Sequence, residues 1–423
     1  MTAATYGRTC GWCGDVQPTD QTTPRCRSCD GPVIVNVDLA SIGRDASGTP
    51  ILRDARLEGM WTWFELLPIT NRRAIVSLGE GRTPLIRAHR LGASLGIDTL
   101  LLKDETRNPT GSFKDRMIAV GMTRAVELGY DTVAVQSSGN VGAAAAAYAA
   151  RAGLRAKILV PRTAPAEKIL QAQMYGADVF RIDHDSPTDI FDLLSWACSE
   201  FEWHLVSTAA IYNPFTLEGA KTIAYEIAEQ MAFDLPDWVV VPVGGGGNIG
   251  SVWRGFLDLR ALGLVDRLPR MVGVQAAGCA PFVDAIALGR TARDALTTRW
   301  PRIDTVAGAI ADDVVFDAHI ALPAVRDSGG TAIAIPDAES LAMESTLAAA
   351  EGLFVEPAAA TGVAALRALV AEGRIARRDR VVCLLTGHGL KDPGSARTLV
   401  QPVTALPLDR AALAACVARA SGT

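Results

Sequence analysis

An α/β fold built on mostly parallel sheet is predicted by three observations. Short β-branched runs, TLLLKDE, DTVAVQ, AKILVP, ADVFRID, WVVVPV, MVGVQ, TAIAIP and RVVCLLT, alternate with helix-like segments, the signature of βα units rather than hairpins. Polar or glycine-rich loops follow three of them, SSGN (Ser137–Asn140), GGGGN (Gly244–Asn248) and TGHG (Thr386–Gly389), at the strand ends where open α/β sheets bind their ligands. Finally, 423 residues that are 49% hydrophobic and 21% charged suit a globular chain of two or three structural units.

The N-terminal segment stands apart. Cys10-Gly-Trp-Cys13 and Cys26-Arg-Ser-Cys29 are two C-x2-C pairs, with Gly14 and Gly31 close behind. Thiolates so spaced on tight turns can face one tetrahedral ion, so residues 1–35 are predicted to form a zinc-ribbon-like segment with Cys10, Cys13, Cys26 and Cys29 as ligands. Four thiolates leave no open coordination position, which makes such a metal structural. A ribbon without its metal, or closed by disulfides, is the alternative. Cys198, Cys279, Cys383 and Cys416 lie far apart in apolar segments and read as buried thiols. MTAATYGRTCGWCG lacks a signal-peptide core, and no apolar stretch reaches the ~20 residues that span a bilayer. A cytoplasmic protein with no membrane partner is expected. A net charge of −5 with no basic run argues against a nucleic-acid partner.

Along the chain, MWTWFELLP is apolar enough to pack on the main body. TLLLKDE precedes a helical run from Asp115, DTVAVQ precedes VGAAAAAYAARAG, AKILVP precedes a helix through Ile169 and Leu170, and ADVFRID precedes another. The alanine run suits a helix that must approach its neighbours closely. WVVVPV, MVGVQ, TAIAIP and RVVCLLT continue the alternation.

NPTGSFKDR (Asn108–Arg116) places Lys114 in the first turn of a helix, where the peptide dipoles disfavour an ammonium by about 0.3–1 kcal/mol. Ser112 and Asp115 have the spacing of a cap that would hold this turn still. Asp115 and Arg116 read as structural ion-pair residues. Gly244, Gly245, Gly246, Gly247 and Asn248 precede a helix, so successive backbone N–H groups can wrap an anion. The same residues satisfy G-x-G-x-x-G through Gly250, yet the next strand ends in Gln275-Ala276-Ala277 where a dinucleotide site needs an acid. A cofactor with one phosphate fits better. A lysine biased to its neutral amine beside a monophosphate cradle meets the needs of pyridoxal phosphate. His388 suits acid/base work or loop orientation, and Tyr212 and Phe215 suit a substrate pocket or plain packing.

NPTGSFKDR, SSGN, VGGGGN and TGHGLKD, in this order, resemble the β-family, or fold type II, of pyridoxal phosphate enzymes, the tryptophan synthase β-like group, and within it the threonine synthases. GEGRTPL (Gly79–Leu85), NPFTLEGAKT (Asn213–Thr222) and EGLFVEP (Glu351–Pro357) add to the likeness, which covers about residues 75–395. It implies two open, mostly parallel α/β domains: a large cofactor-binding one from 36–120 and 215–423, and a small mobile one from 121–214. It implies that Lys114 forms the Schiff base and shuttles protons, that Asn140 bonds the ring hydroxyl, and that Gly244 to Asn248 hold the phosphate. Thr386 would meet the ring nitrogen, and Ser137, Ser138 and Gly139 the substrate carboxylate. The implied activity is β/γ-elimination or replacement on a small L-amino acid, with O-phospho-L-homoserine to L-threonine the named candidate, in a homodimer. Related threonine synthases grip the substrate phosphate with a serine and an arginine where this chain has Ile211 and Thr216, and follow the asparagine with a hydroxyl residue where it has Val141. An arginine-containing segment is replaced by AGAIADD (Ala307–Asp313). These departures favour a second expectation, a relative acting on another, non-phosphorylated amino acid. A third, a binding protein that keeps the fold without catalysis, requires a colourless protein.

Overall fold

The computed structural model describes residues 6–19, 23–184 and 187–420. Three antiparallel strands, β1 (Tyr6–Cys10), β2 (Val16–Gln17) and β3 (Val33–Val37), form a small sheet in the order β2-β1-β3. The remaining strands are β4 (Leu85–Arg87), β5 (Thr99–Asp104), β6 (Thr132–Gln136), β7 (Arg155–Pro161), β8 (Asp178–Ile182), β9 (His204–Leu205), β10 (Trp238–Pro242), β11 (Arg270–Ala276), β12 (Thr331–Ile335) and β13 (Arg380–Leu385). They build two further sheets. One has the order β12-β11-β10-β13-β5-β4 and is parallel except for the edge strand β4. The other, β8-β7-β6-β9, is parallel throughout.

Helices cover both faces of the larger sheet, which is why its strands read as unbroken apolar runs rather than alternating ones. Val239 and Val241 of β10 join Val382 and Leu384 of β13 in one core, with Ile223, Val252 and Phe256 from helices Pro214–Gln230 and Gly247–Ala261. Trp238 and Val240 point the other way, to Val381, Cys383 and Leu385, with Leu347, Val363 and Leu366 from helices Asp337–Glu351 and Pro357–Ala371. The period of two along each strand assigns its side chains to the two layers.

Helix Lys114–Glu127 lies between the two parallel sheets. Met117 belongs to the first core, whereas Ile118, Ala119, Val120, Met122 and Ala125 pack with Val133, Val135 and Ile158 of β6 and β7. The alanines of helix Asn140–Ala152 are buried in this second core from Ala144 to Ala147, as expected for a helix pressed closely on its neighbours. The MWTWFELLP segment is a buried 3-10 stretch, Gly59–Leu66. Cys279 and Cys383 are buried, but Cys198 and Cys416 are only partly so, which corrects the expectation for those two thiols. Among the described residues no helix is long and apolar enough to cross a membrane.

A fully buried ion cluster fixes the start of helix Lys114–Glu127. The Arg116 guanidinium donates to Glu105 through Nε at 2.7 Å and Nη2 at 2.9 Å, and to Glu226 through Nη1 at 2.6 Å and Nη2 at 2.7 Å. Lys103 Nζ also donates to Glu226 at 2.7 Å, and the backbone N–H groups of Arg82 and Thr83 do so at 2.8 and 3.2 Å. Two forked bonds on one planar cation give geometric specificity as well as energy. Burial pushes the Glu226 carboxyl up, but Arg116 and Lys103 outweigh it and hold the group down at about 2.

Replacing Glu226 by Gln leaves Arg116 and Lys103 undercompensated, and breaking a buried pair in this way costs about 3–5 kcal/mol. Denaturant unfolding at neutral pH is expected to show a loss of that order. A depressed carboxyl stabilises the fold above its unfolded value, so the wild-type advantage shrinks as pH falls from about 4.5 toward about 2. A difference that is flat across that window contradicts the cluster's role.

Candidate active site

The central strands β10, β13 and β5 are neighbours, and three of the singled-out loops leave their carboxyl ends side by side. Phe113 N donates to Thr386 O at 3.1 Å and His388 N to Gly111 O at 2.9 Å, and Ser112 pairs with Gly387 as an isolated bridge. These bonds lock the NPTGSFKDR loop to the TGHG loop. Lys114 opens its helix behind Phe113, with its amine 4.6 Å from the Phe113 ring centre and 3.4 Å from Thr208 Oγ1. Burial pushes this amine below its ordinary value, while Asp312, Asp317 and Glu356 pull the other way.

The expected Ser112/Asp115 cap does not form. Phe113 is the N-cap without a side-chain bond, and the Ser112 hydroxyl has no partner among the described residues. Asp115 turns back instead, accepting from Thr110 N and Thr110 Oγ1, both at 2.8 Å. The loop before the helix is therefore held by its own acid, and Arg116 supplies the ion pairing.

The glycine loop meets the second acidic segment of the site. A Cβ at Gly244 would lie 2.6 Å from Asp312 Oδ2, and one at Gly247 would lie 2.7 Å from Asp317 Oδ2, so bare backbone is required at both close approaches. Gly246 adopts φ +97° and caps helix Gly247–Ala261. The Asp312 carboxylate thus lies against the loop, where burial raises its carboxyl and the Gly245 N–H pulls it the other way. Both amide atoms of Asn248 are buried without a partner among the described residues. A loop without side chains, a helix N-terminus and an unspent amide fit a phosphate group. Asp317 accepts from Ala210 N at 2.8 Å, and burial raises its carboxyl to about 7.

The SSGN loop leaves β6 of the other parallel sheet. Ser137, Ser138 and Gly139 are partly exposed, and Ser137 Oγ accepts from Gly139 N at 3.2 Å. Asn140, the first residue of helix Asn140–Ala152, is buried and spans the gap between the sheets, donating from Nδ2 to Glu356 Oε1 and Oε2 at 3.1 and 3.2 Å. A cavity of about 300 Å³ beside it is lined by Gly139, Asn140, Lys168, Gln171, Tyr175 and Lys391. Lys168 bonds Asp392 at 3.0 Å and Lys391 bonds Gln171 Oε1 at 2.5 Å.

Asp312, Asp317 and Glu356 were not singled out from sequence, although two of them stand in segments that were. The acid immediately before Pro357 reads as an ordinary helix start, and Asp312 is one acid in a run of two. His388 accepts from Leu390 N at Nδ1, 3.0 Å, the loop-orienting bond. Phe215 packs edge-on against Tyr6, 5.5 Å between centres, and Tyr212 stacks on Phe191 at 3.8 Å. Ile211 is buried, and the Thr216 hydroxyl is committed to Ser207 O and Asn213 O at 2.6 and 2.9 Å. Val141 packs against the core around β6. No cation stands at any of these three positions.

The N-terminal cysteines converge. The Sγ atoms of Cys10, Cys13, Cys26 and Cys29 all lie within 4.8 Å of one another, with Cys10–Cys29 at 3.5 Å and Cys13–Cys26 at 3.7 Å. A tetrahedron with Zn–S bonds of ~2.3 Å has edges of about 3.8 Å, close to these separations, so the four thiols could hold a metal ion.

Residues 76–387 match the family described as pyridoxal-phosphate dependent enzyme. The threonine synthase of Methanocaldococcus jannaschii is 41% identical over 396 residues, which are 93% of this chain and 95% of that one. The threonine synthase of Methanosarcina acetivorans is 42% identical over 389 residues, 92% and 93% of the two chains. Among solved structures, a processed threonine deaminase isoform from Solanum lycopersicum superimposes with a TM-score of 0.63 at 21% identity, covering 75% of this chain and 87% of its own. The last likeness speaks for the fold alone.

Replacing Gly246 by Ala puts an L side chain at φ +97° and a Cβ 2.7 Å from Ala321 Cβ. The left-handed conformation alone costs about 1–2 kcal/mol. Chemical denaturation is expected to show at least that loss; unchanged stability would mean that the loop has another conformation.

Proposed function

The chain belongs to the pyridoxal-phosphate dependent enzyme family, in its threonine-synthase-like group, and from that premise we propose that it eliminates or replaces a leaving group on the β- or γ-carbon of a small L-amino acid. One observation carries the proposal: a desolvated lysine amine at a helix start, Lys114, stands between the TGHG loop and a glycine loop that opens a helix beside an unpartnered asparagine amide. Bound pyridoxal phosphate supplies an electron sink for charge that develops at the substrate's α-carbon. Lys114 would hold it, and its amine would take the substrate's α-proton and return it later. A base must be neutral to do this, and burial of Lys114 favours that state.

In this proposal Gly244, Gly245, Gly246, Gly247 and Asn248 hold the phosphate, Asn140 donates to the ring oxygen, and the Thr386 hydroxyl meets the ring nitrogen. A hydroxyl cannot protonate that nitrogen as a carboxylate partner could, which favours elimination over transamination. Ser137, Ser138 and Gly139 bind the substrate carboxylate. Residues 36–120 and 215–423 act as a large body, and 121–214 as a smaller one that moves on it, in a cytoplasmic homodimer. The four clustered cysteines hold a structural zinc ion.

The relatives' name makes conversion of O-phospho-L-homoserine to L-threonine the leading candidate. A second assignment, a non-phosphorylated substrate, is favoured by the buried Ile211 and the committed hydroxyl of Thr216. Neither attracts a phosphate dianion, and an arginine fork is not replaced by a threonine without loss.

Lys114→Ala is expected to abolish the lysine-linked visible absorption of the holoenzyme and to lower turnover by at least about 10²- to 10⁴-fold. A persistent lysine-linked chromophore would sink the assignment. Release of phosphate from O-phospho-L-homoserine with formation of threonine selects the first substrate. Failure on it, with turnover of an unphosphorylated amino acid, selects the second.

A further inference from the structure

Glu356 has the backbone of a helix N-cap but not the side-chain role. Pro357 opens helix Pro357–Ala371, and the N–H groups of Ala359 and Ala360 bond the Glu356 carbonyl at 2.9 and 3.0 Å, while its carboxylate makes no cap bond. That carboxylate, on a residue 5% exposed, turns toward the site. Both of its oxygens receive Asn140 Nδ2. On its other side a Cβ at Gly387 would lie 2.4 Å from Oε1, and Glu356 N bonds Gly387 O at 3.0 Å. The acid is thus wedged between Asn140 and the residue that follows Thr386. Facing it are Lys391 from the TGHGLKD segment and Lys168 from helix Ala166–Met174, with Asp392 as a like charge.

An asparagine amide can present either its carbonyl or its NH2 to a bound group, and the two ends have nearly the same shape. A carboxylate accepts only, so a partner fixed at Nδ2 forbids the flipped amide. We infer that Glu356 is a positioning residue for the cofactor ring: it holds the Asn140 amide so that its second N–H, not its carbonyl, faces the ring oxygen. The inference rests on Lys114 and Asn140 holding pyridoxal phosphate as proposed above. It predicts that Glu356 acts through Asn140 and has no independent effect on the ring. Glu356→Gln offers both a donor and an acceptor of the same length and releases the constraint, while Glu356→Asp keeps the acceptor-only character at a shorter reach.

The test uses full-length holoenzyme reconstituted with pyridoxal phosphate. Wild type, Glu356→Gln, Glu356→Asp, Asn140→Ala and the Glu356→Gln/Asn140→Ala double variant are compared by visible absorption and cofactor dissociation constant, with thermal unfolding as the check on folding. Glu356→Gln is expected to shift the visible band and weaken cofactor binding by about ten- to a hundredfold, the worth of a hydrogen bond to a charged group. Glu356→Asp, with its shorter reach, is expected to restore the band in part and not fully, and the double variant to be no worse than Asn140→Ala alone. A Glu356→Gln holoenzyme with the wild-type band and affinity overturns the inference, as do additive losses in the double variant. If Glu356→Gln does not fold, Glu356→Asp decides: a band between those of wild type and Asn140→Ala supports the inference, and no shift overturns it. Wild-type protein that takes up no pyridoxal phosphate overturns the functional proposal itself, a result distinct from either.

Discussion

The Arg116 guanidinium is the fixed point on which the site depends. It lies two residues beyond Lys114 and is clamped by Glu105 from the segment after β5 and by Glu226 from helix Pro214–Gln230. Glu226 in turn collects Lys103 and the backbone of the GEGRTPL loop. One cation with two carboxylates thus ties three chain segments together under the helix start. Neither acid tolerates loss, because a buried charge stripped of its partner costs far more than the pair contributes. The lysine above it is held by that rigidity, since its own bond to Thr208 is long.

Over this base the site balances charges. Lys114 faces Asp312, Asp317 and Glu356, each carboxyl pushed up by burial. Burial disfavours the ammonium form of Lys114 and the acids around it oppose that push, so the neutral amine is physically accessible. The glycine loop adds oriented N–H groups and a helix N-terminus, and the Asp312 carboxylate lies close against it.

Much of the fold was legible because its signals are local. β-Branched runs buried on both faces, such as WVVVPV and RVVCLL, declare parallel strands, and the glycines and polar loops behind them mark strand ends. Which strands become neighbours is a long-range property, yet it decides that the loops after β5, β10 and β13 meet. The same limit hid Glu356 and Asp317: each is an acid at a helix start, and only packing shows that one binds Asn140 and the other Ala210 N. The Ser112/Asp115 expectation failed for a local reason. Thr110, five residues before Asp115, offers both a backbone and a hydroxyl donor and takes the acid that a cap would need. Ile211 and Thr216 were recognised as departures in sequence, and the structure adds that the Thr216 hydroxyl proton is already given to backbone carbonyls, leaving no donor for a phosphate.

The central claim is that Lys114 is the residue that holds the cofactor. Borohydride reduction of the holoenzyme, followed by proteolysis and peptide mass spectrometry, tests it directly. The account predicts one phosphopyridoxyl adduct, on the peptide that carries Lys114. An adduct on a different lysine, or none in protein that is coloured and active, contradicts it.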